Sequence, residues 1–227
     1  MKYTKFTGTC EPNNWYKVGS HSLFCGDTTS PQFIEECKGA KLAFADPPYG
    51  SGVDKWDIQF YWEHDYLTDV ADIVCVTPGS RGTSTFFKMT EMPYRWELSA
   101  HTVNGHSVGD VGFANWTYIP IFAKKDVKIW RQMPDAKRIK LIPAENKDTP
   151  HKGRKPTELM KWVIGLFTEI HETVIDPFAG SGTTLIVCER LNRTCITGEI
   201  DPEYCVEIIN RWKKEPLSNV KRLENFI

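Results

Sequence analysis

The stretch from Val174 to Trp212 constrains this chain most. Val174-Ile175 is a short apolar run that ends in Asp176-Pro177-Phe178-Ala179-Gly180-Ser181-Gly182-Thr183-Thr184. An amphipathic run over Thr183–Leu191 follows, then an apolar strand over Thr194–Ile200 and a helical pattern over Pro202–Trp212. Strand, helix, strand, helix in so few residues reads as a βαβα unit. Two strands joined through a helix run parallel, and the crossover covers one sheet face. Such units build sheets with a ligand crevice at the carboxyl ends of the strands.

The rest of the chain fits that plan. Lys41–Ala45 is an apolar run stopped by proline, Asp72–Thr77 is stopped by Pro78-Gly79, and Trp96–Val103 and Thr117–Ala123 are two more candidate strands. Phe60 to Val70 reads as a helix. Pro156 stands at a helix start, with Leu159, Val163, Leu166 and Ile170 on one face. The expected fold class is α/β, with a sheet covered on both faces. At 227 residues and 41% hydrophobic content, one domain over 1–227 is expected. Residues 124–150 are polar, Lys-rich and broken by Pro134, Pro143 and Pro150, so they read as a small lobe.

Charge and cysteine usage exclude several classes. The formal charge is −1, so no global positive field draws nucleic acid, and any such contact must be a local patch or come through a partner. Seven cysteines form no CxxC pair and no zinc spacing, and they read as reduced core thiols. His101 and His106 lack a third ligand, so no metal is expected. No run of 18 apolar residues occurs, and Met1–Phe6 lacks the apolar core of a signal peptide. A cytoplasmic protein without membrane association is the expectation.

Two turns carry the chemistry. In Asp176–Thr184 the glycines let the chain bend sharply and let a ligand approach main-chain N–H groups. Leu185 stands where a third dinucleotide-binding glycine would be, and no Walker lysine follows. Glu199, at the end of the next strand, is placed to accept the hydroxyls of an adenosine ribose. In Asp46-Pro47-Pro48-Tyr49-Gly50, two prolines stiffen the backbone at a strand end. The Asp46 carboxylate and Pro47 carbonyl then form a pair of fixed acceptors suited to an exocyclic amino group. Tyr49 offers a face on which a base can stack. A rigid proline turn with a capping Asp, and a glycine turn that only needs positive φ, remain the plainer readings of each motif alone.

Taken together the two turns resemble the S-adenosylmethionine-dependent amino-methyltransferases of DNA, whose catalytic turn is D/N/S-P-P-Y/F/W and whose cofactor turn is F-x-G-x-G. The catalytic turn comes first, as in the β-class, a circularly permuted order on a Rossmann-like methyltransferase fold. Gly26-Asp27, Trp56-Asp57 and His151 through Lys155-Pro156 with Leu159 resemble further elements of that family in the same order. The resemblance implies catalytic roles for Asp46, Pro47, Pro48 and Tyr49. It implies S-adenosylmethionine contacts from Asp27, Asp46, Lys155, Asp176, Phe178, Ala179, Gly180, Ser181, Gly182, Thr183, Glu199 and Ile200. Adenine N6 is the favoured target because cytosine members more often carry Ser where this chain has Asp46. A cytosine-N4 or RNA methyltransferase, or a non-catalytic relative, are the alternatives, with a nucleotide-dependent oxidoreductase further off.

The expected partner is DNA, and the surface to read it is thin. Tyr49, Lys124, Lys125, Arg131 and Arg138 are the candidate contacts, with a lower expectation for Arg81. The loops Ser51–Asp57 and Asn104–Asn115 could add to them. So small an insertion implies a very short target site, a homodimer, or a separate recognition subunit.

Overall fold

The computed structural model describes residues 2–50, 60–109, 112–127, 134–142 and 153–215. The strands are β1 (Asn14–Val18), β2 (His21–Cys25), β3 (Ala40–Ala45), β4 (Ala71–Val76), β5 (Tyr94–Thr102), β6 (Ser107–Gly109), β7 (Gly112–Ala114), β8 (Trp116–Phe122), β9 (Ala136–Ile139), β10 (Thr173–Asp176) and β11 (Thr194–Glu199). The helices are α1 (Pro31–Glu36), α2 (Leu67–Val70), α3 (Gly79–Met89), α4 (Thr157–Phe167), α5 (Thr183–Arg190) and α6 (Pro202–Lys214).

Nine strands form one sheet in the order β1-β2-β11-β10-β3-β4-β8-β5-β9. Its centre, from β2 to β4, is parallel throughout. The runs that build this centre are near-continuous in apolar residues because both faces are covered: in β3 every residue but Lys41 is buried. One core layer holds Leu42, Phe44, Ile73, Leu159, Val163, Leu185 and Ile208. The other holds Trp15, Phe24, Phe33, Ala43, Val74 and Phe86. Residues 42 to 44 thus alternate between layers, as the period of a strand requires. All seven cysteines are free and buried. Among the described residues no group of side chains could hold a metal ion, and no helix is long and apolar enough to cross a membrane.

The sheet places the two turns. The register pairs Val174 with Leu42 and Ile175 with Ala43, so β10 and β3 are hydrogen-bonded neighbours running the same way. From β10 the chain leaves through α5 towards β11, and from β3 it leaves towards β4 on the other side. The connections diverge, and a crevice opens between them at the strand ends.

Several boundaries differ from expectation, each for a physical reason. The helix expected over 60–70 contracts to Leu67–Val70. The Asp65 carboxylate accepts from Trp62 Nε1 at 2.6 Å, Thr90 Oγ1 at 2.7 Å and the Glu91 N–H at 2.6 Å, which pins Asp65 to the chain just beyond α3. Helix α4 stops at Phe167, and Ile170 is 58% exposed rather than on the buried face. Arg193 donates to the Thr168 carbonyl at 2.6 Å and hydroxyl at 3.1 Å, holding Thr168 extended. Within 124–150, the segment Ala136–Ile139 is not part of a separate lobe: it pairs parallel with β5 as the last strand of the main sheet. Residues 128–133 and 143–152 of that region lie outside the described residues. The hairpin β1–β2 and helices α1 and α3 are elements that periodicity did not reveal.

Away from the crevice, one buried polar bridge joins four elements. The His21 ring accepts the Cys195 N–H at Nδ1 over 3.0 Å, so its proton lies on Nε2, which donates to Glu189 Oε2 at 2.7 Å. Trp212 Nε1 donates to the same oxygen at 3.1 Å. This ties β2 and β11 to α5 and α6. The His21 hydrogen bond holds the Glu189 carboxyl below its ordinary pKa. Glu189→Ala leaves a buried N–H without an acceptor and should cost about 2–3 kcal/mol in urea unfolding at pH 7. A depressed carboxyl stabilises above its unfolded pKa, so the wild-type advantage should shrink as pH falls below about 4.

Candidate functional site

The crevice at the ends of β3 and β10 is a cleft of about 520 Å³. Asp46, Pro47, Pro48 and Tyr49 line it from one side, and Asp176, Phe178, Ala179, Gly180, Ser181 and Thr183 line it from the other. Asp27, Lys155, Glu199 and Ile200 complete the set that the sequence assembled from distant segments. Gly182 alone among the cofactor candidates is not at the cleft wall. It stands behind the turn as the first residue before α5, at φ +73°, where a Cβ would lie 3.0 Å from Ile208 of α6. Its role is to let the turn close against α6.

The glycine turn is clamped from below. Ala179 N–H donates to the Gly198 carbonyl at 2.9 Å and Gly182 N–H to the Ala179 carbonyl at 2.7 Å. Arg211 of α6 donates to the Ser181 carbonyl at 2.6 Å and to Thr183 Oγ1 at 3.2 Å. Glu199 accepts the Gly180 N–H at 2.8 Å on one oxygen and the Asp201 N–H at 3.0 Å on the other. Each oxygen keeps a second lone pair, so ligand hydroxyls can still be accepted. Burial raises Glu199 to about 7. Burial likewise raises Asp176, 4% exposed, to about 7, although it accepts the Phe178 N–H at 2.9 Å. For both carboxyls burial outweighs the N–H groups that donate to them.

The Asp-Pro-Pro-Tyr turn is held by a residue the sequence reading did not single out. Thr77, just past β4, donates its N–H to the Ala45 carbonyl at 2.9 Å and its hydroxyl to Asp46 Oδ1 at 2.6 Å. The pairing of Ala45 with Val76 brings it there, and register is not visible in one sequence. Tyr49 also donates its hydroxyl to Asp46 Oδ1. Lys155 makes an ion pair with Asp46 Oδ2 at 2.6 Å, donates to the Tyr49 hydroxyl, and sits 4.8 Å from the centre of the Tyr49 ring. A Cβ on Gly79 would fall 2.7 Å from that ring, so the tyrosine packs closely on Gly79. Burial alone would lower the Lys155 ammonium, but the charge of Asp46 and the Tyr49 hydroxyl outweigh it and raise it.

The cleft also holds residues absent from the sequence reading. Thr28 Oγ1 donates to the Pro177 carbonyl at 3.2 Å and lies 2.9 Å from His64 Nε2. With its own proton committed, Thr28 accepts, so the His64 proton is on Nε2. The His64 ring lies 4.5 Å from that of Phe178 and 5.6 Å from that of Trp62. Burial lowers His64 to about 4, so it is neutral near pH 7. Asp27 accepts the Thr29 N–H and hydroxyl on one oxygen, each at 2.8 Å, and these bonds depress its carboxyl. Tyr61, Glu63, Asp201 and Tyr204 also line the cleft.

The basic candidates fare differently. β8 runs antiparallel to β4, with Phe122 opposite Val74. Lys124 and Lys125 follow β8 and so lie at the end of the sheet opposite the cleft, where Lys124 pairs with Asp69 of α2. They do not flank the catalytic turn. Arg138 is on β9, four strands from β3, or roughly 19 Å at ordinary strand spacing. Arg131, the Trp56-Asp57 pair and His151 lie outside the described residues. By contrast, the connection from β5 to β8, with the β6–β7 hairpin, leaves the sheet on the cleft side. It carries Phe113, 73% exposed and 4.2 Å from the His106 ring, and leads into Trp116, 53% exposed.

With this geometry in view, three comparisons agree. The DNA methylase family model matches residues 96–211. Type II methyltransferase M.HindIII of Haemophilus influenzae is 54% identical over 43 residues, which are 19% of this chain and 14% of that protein. Type II methyltransferase M.PvuII of Proteus hauseri is 37% identical over 71 residues, 31% of this chain and 21% of that protein. The matched segments thus span less than a quarter of these relatives' length. Among solved structures, the M1.HpyAVI–SAM complex superposes with a TM-score of 0.65 at 18% identity, over 86% of this chain and all of that one. The PvuII cytosine-N4-specific DNA methyltransferase superposes with a TM-score of 0.61 at 18% identity, over 93% of each. The fold is the Rossmann-like methyltransferase fold, and with its family match running across more than half of its residues the chain belongs to the N6/N4 amino-methyltransferase family of DNA methylases.

Proposed function

We propose that this protein transfers a methyl group from S-adenosylmethionine to an exocyclic amino group of a DNA base, with adenine N6 as the target. One observation carries the reading: two turns from distant parts of the chain share one cleft at neighbouring strand ends. The cofactor suits the residues present. Glu199 and Asp176, held near neutrality by burial, offer acceptors to ribose hydroxyls and to the positive charge that such a molecule carries. Asp27, Phe178 and Ile200 bound the adenine end, and Lys155 is the cation at the other.

S-adenosylmethionine supplies a methyl on a sulfonium, a good leaving group, so the chain itself needs neither a metal nor a covalent nucleophile. The target amino nitrogen is a poor nucleophile because its lone pair is delocalised into the ring. Asp46 and the Pro47 carbonyl, by accepting its two N–H groups, favour a pyramidal nitrogen with its lone pair directed at the methyl. Positive charge grows on that nitrogen, and Asp46 stabilises it, with Thr77 fixing the carboxylate's orientation. In a duplex the base must leave the stack, at a cost of a few kcal/mol that stacking on Tyr49 partly offsets. Asp at the first position of the turn supports adenine. A cytosine-N4 target is the second reading, supported by the PvuII likeness. The partner is DNA, read by the cleft-side β6–β7 hairpin, with a second copy or a separate recognition subunit extending that surface. The bacterial relatives support action in the cytoplasm.

Asp46→Ala should lose methyl transfer by at least a thousandfold while retaining cofactor binding, read by tritium transfer and calorimetry. Nucleoside mass spectrometry of the methylated DNA should give N6-methyladenine, and N4-methylcytosine in its place selects the second reading.

Asp176 carries a pH signature. A raised carboxyl stabilises the fold below its unfolded pKa, near 4, and that stability is lost as pH rises towards about 7. Asp176→Asn keeps the acceptor for the Phe178 N–H and removes the charge. Its unfolding temperature without cofactor should exceed wild type at pH 8, by roughly 2–4 °C per kcal/mol, and converge below pH 5. Its affinity for S-adenosylmethionine should fall at least tenfold.

Phe113→Ala should weaken DNA binding severalfold in a salt-titrated shift assay, whereas Lys124→Ala and Lys125→Ala should leave it unchanged.

A further inference from the structure

The Asp46 carboxylate is already engaged. Tyr49 and Thr77 donate to Oδ1, and the Lys155 ammonium takes Oδ2 at 2.6 Å. The same ammonium donates to the Tyr49 hydroxyl and lies over the ring on which a base would stack. Asp46 and Lys155 are 18% and 16% exposed, so the pair is largely withdrawn from water, and each charge depends on the other for compensation. In this arrangement an incoming amino group meets an ammonium already held at Asp46 Oδ2 and at the Tyr49 hydroxyl.

Charge bookkeeping around the cleft points to what releases it. The described residues lining it include Asp27, Asp46, Glu63, Asp176, Glu199 and Asp201, against one formal cation, Lys155. Its other basic side chain, His64, is kept neutral by burial. An amino-acid ligand brings a carboxylate into this acidic space, and Lys155 is the group there that can pair with it. One ammonium then faces two carboxylates that compete for its charge.

We infer that Lys155 is a positioning residue that exchanges carboxylates: it holds Asp46 while the cleft is empty and transfers to the cofactor's carboxylate when the cleft fills. The transfer frees Asp46 Oδ2 and the Tyr49 hydroxyl together, so the cofactor enters before the base. No bond is made or broken; one ion pair replaces another. This rests on the proposed cofactor and deepens that reading.

The test is calorimetry with two probes. S-adenosylhomocysteine carries the amino-acid carboxylate, and 5′-methylthioadenosine has the same adenosine and sulfur without it. In the wild-type chain, Asp46→Asn removes the competing carboxylate and should tighten S-adenosylhomocysteine binding about three- to tenfold, leaving methylthioadenosine unchanged. Lys155→Met should weaken S-adenosylhomocysteine selectively. In the Lys155→Met background, Asp46→Asn should no longer tighten it. Lys155→Arg, which keeps a cation, should restore the coupling in part and guards against misfolding of the Met variant. Unchanged S-adenosylhomocysteine affinity in Asp46→Asn, or tightening that persists without Lys155, overturns the exchange while leaving the cofactor assignment intact. A wild-type chain that binds neither probe overturns both.

Discussion

Everything at the cleft depends on one pairing, that of β10 with β3. These strands are bonded along their backbones, yet the chain leaves their ends in opposite directions. The divergence leaves, among the described residues, a cleft directly beyond them. Asp46 and Asp176 stand at the lips of that space because Asp46 directly follows β3 and Asp176 is the last residue of β10. Thr77 follows Val76, the partner of Ala45, and Glu199 ends β11 two residues beyond Thr197, the partner of Asp176. Three carboxyl side chains thus line one volume, with Thr77 holding one of them from behind, in a sheet whose register fixes their spacing.

That volume is acidic and walled in part by buried side chains, and the combination sets its chemistry. Burial makes ionisation of Asp176 and Glu199 costly, so the empty protein holds them near neutrality. Around Asp46 the balance is struck differently, with an ammonium brought in to offset the carboxylate. A ligand that brings hydroxyls, positive charge and a carboxylate of its own meets each of these conditions at once. The fold is stabilised elsewhere, by the two apolar layers and by the His21–Glu189–Trp212 bridge, so a strained, charged cleft can be tolerated.

Some of this was legible from residue types. Prolines restrict φ and glycines permit positive φ wherever they stand, so the Asp-Pro-Pro-Tyr and glycine turns announce themselves locally. Buried parallel strands such as Lys41–Ala45 show as apolar runs because both faces are covered. The place of Lys124 and Lys125 was not legible in the sequence, because composition says nothing of strand direction. β8 returns antiparallel to β4 and carries them to the far end of the sheet. Thr77, Thr28 and His64 went unnoticed for a related reason. Nothing in their own neighbourhood marks them, and they matter through partners 31, 149 and 36 residues away.

The amino-acid order by itself determined the local geometries: where strands stop, where the backbone must bend, and which functional groups stand at those bends. These depend on steric limits within a few residues. Only the tertiary structure decided that the bends share a wall, that Lys155 rather than solvent faces Asp46, and which basic residues lie on the cleft side. Such facts depend on strand register, strand direction and the low dielectric of a closed interior, which arise once distant segments pack together.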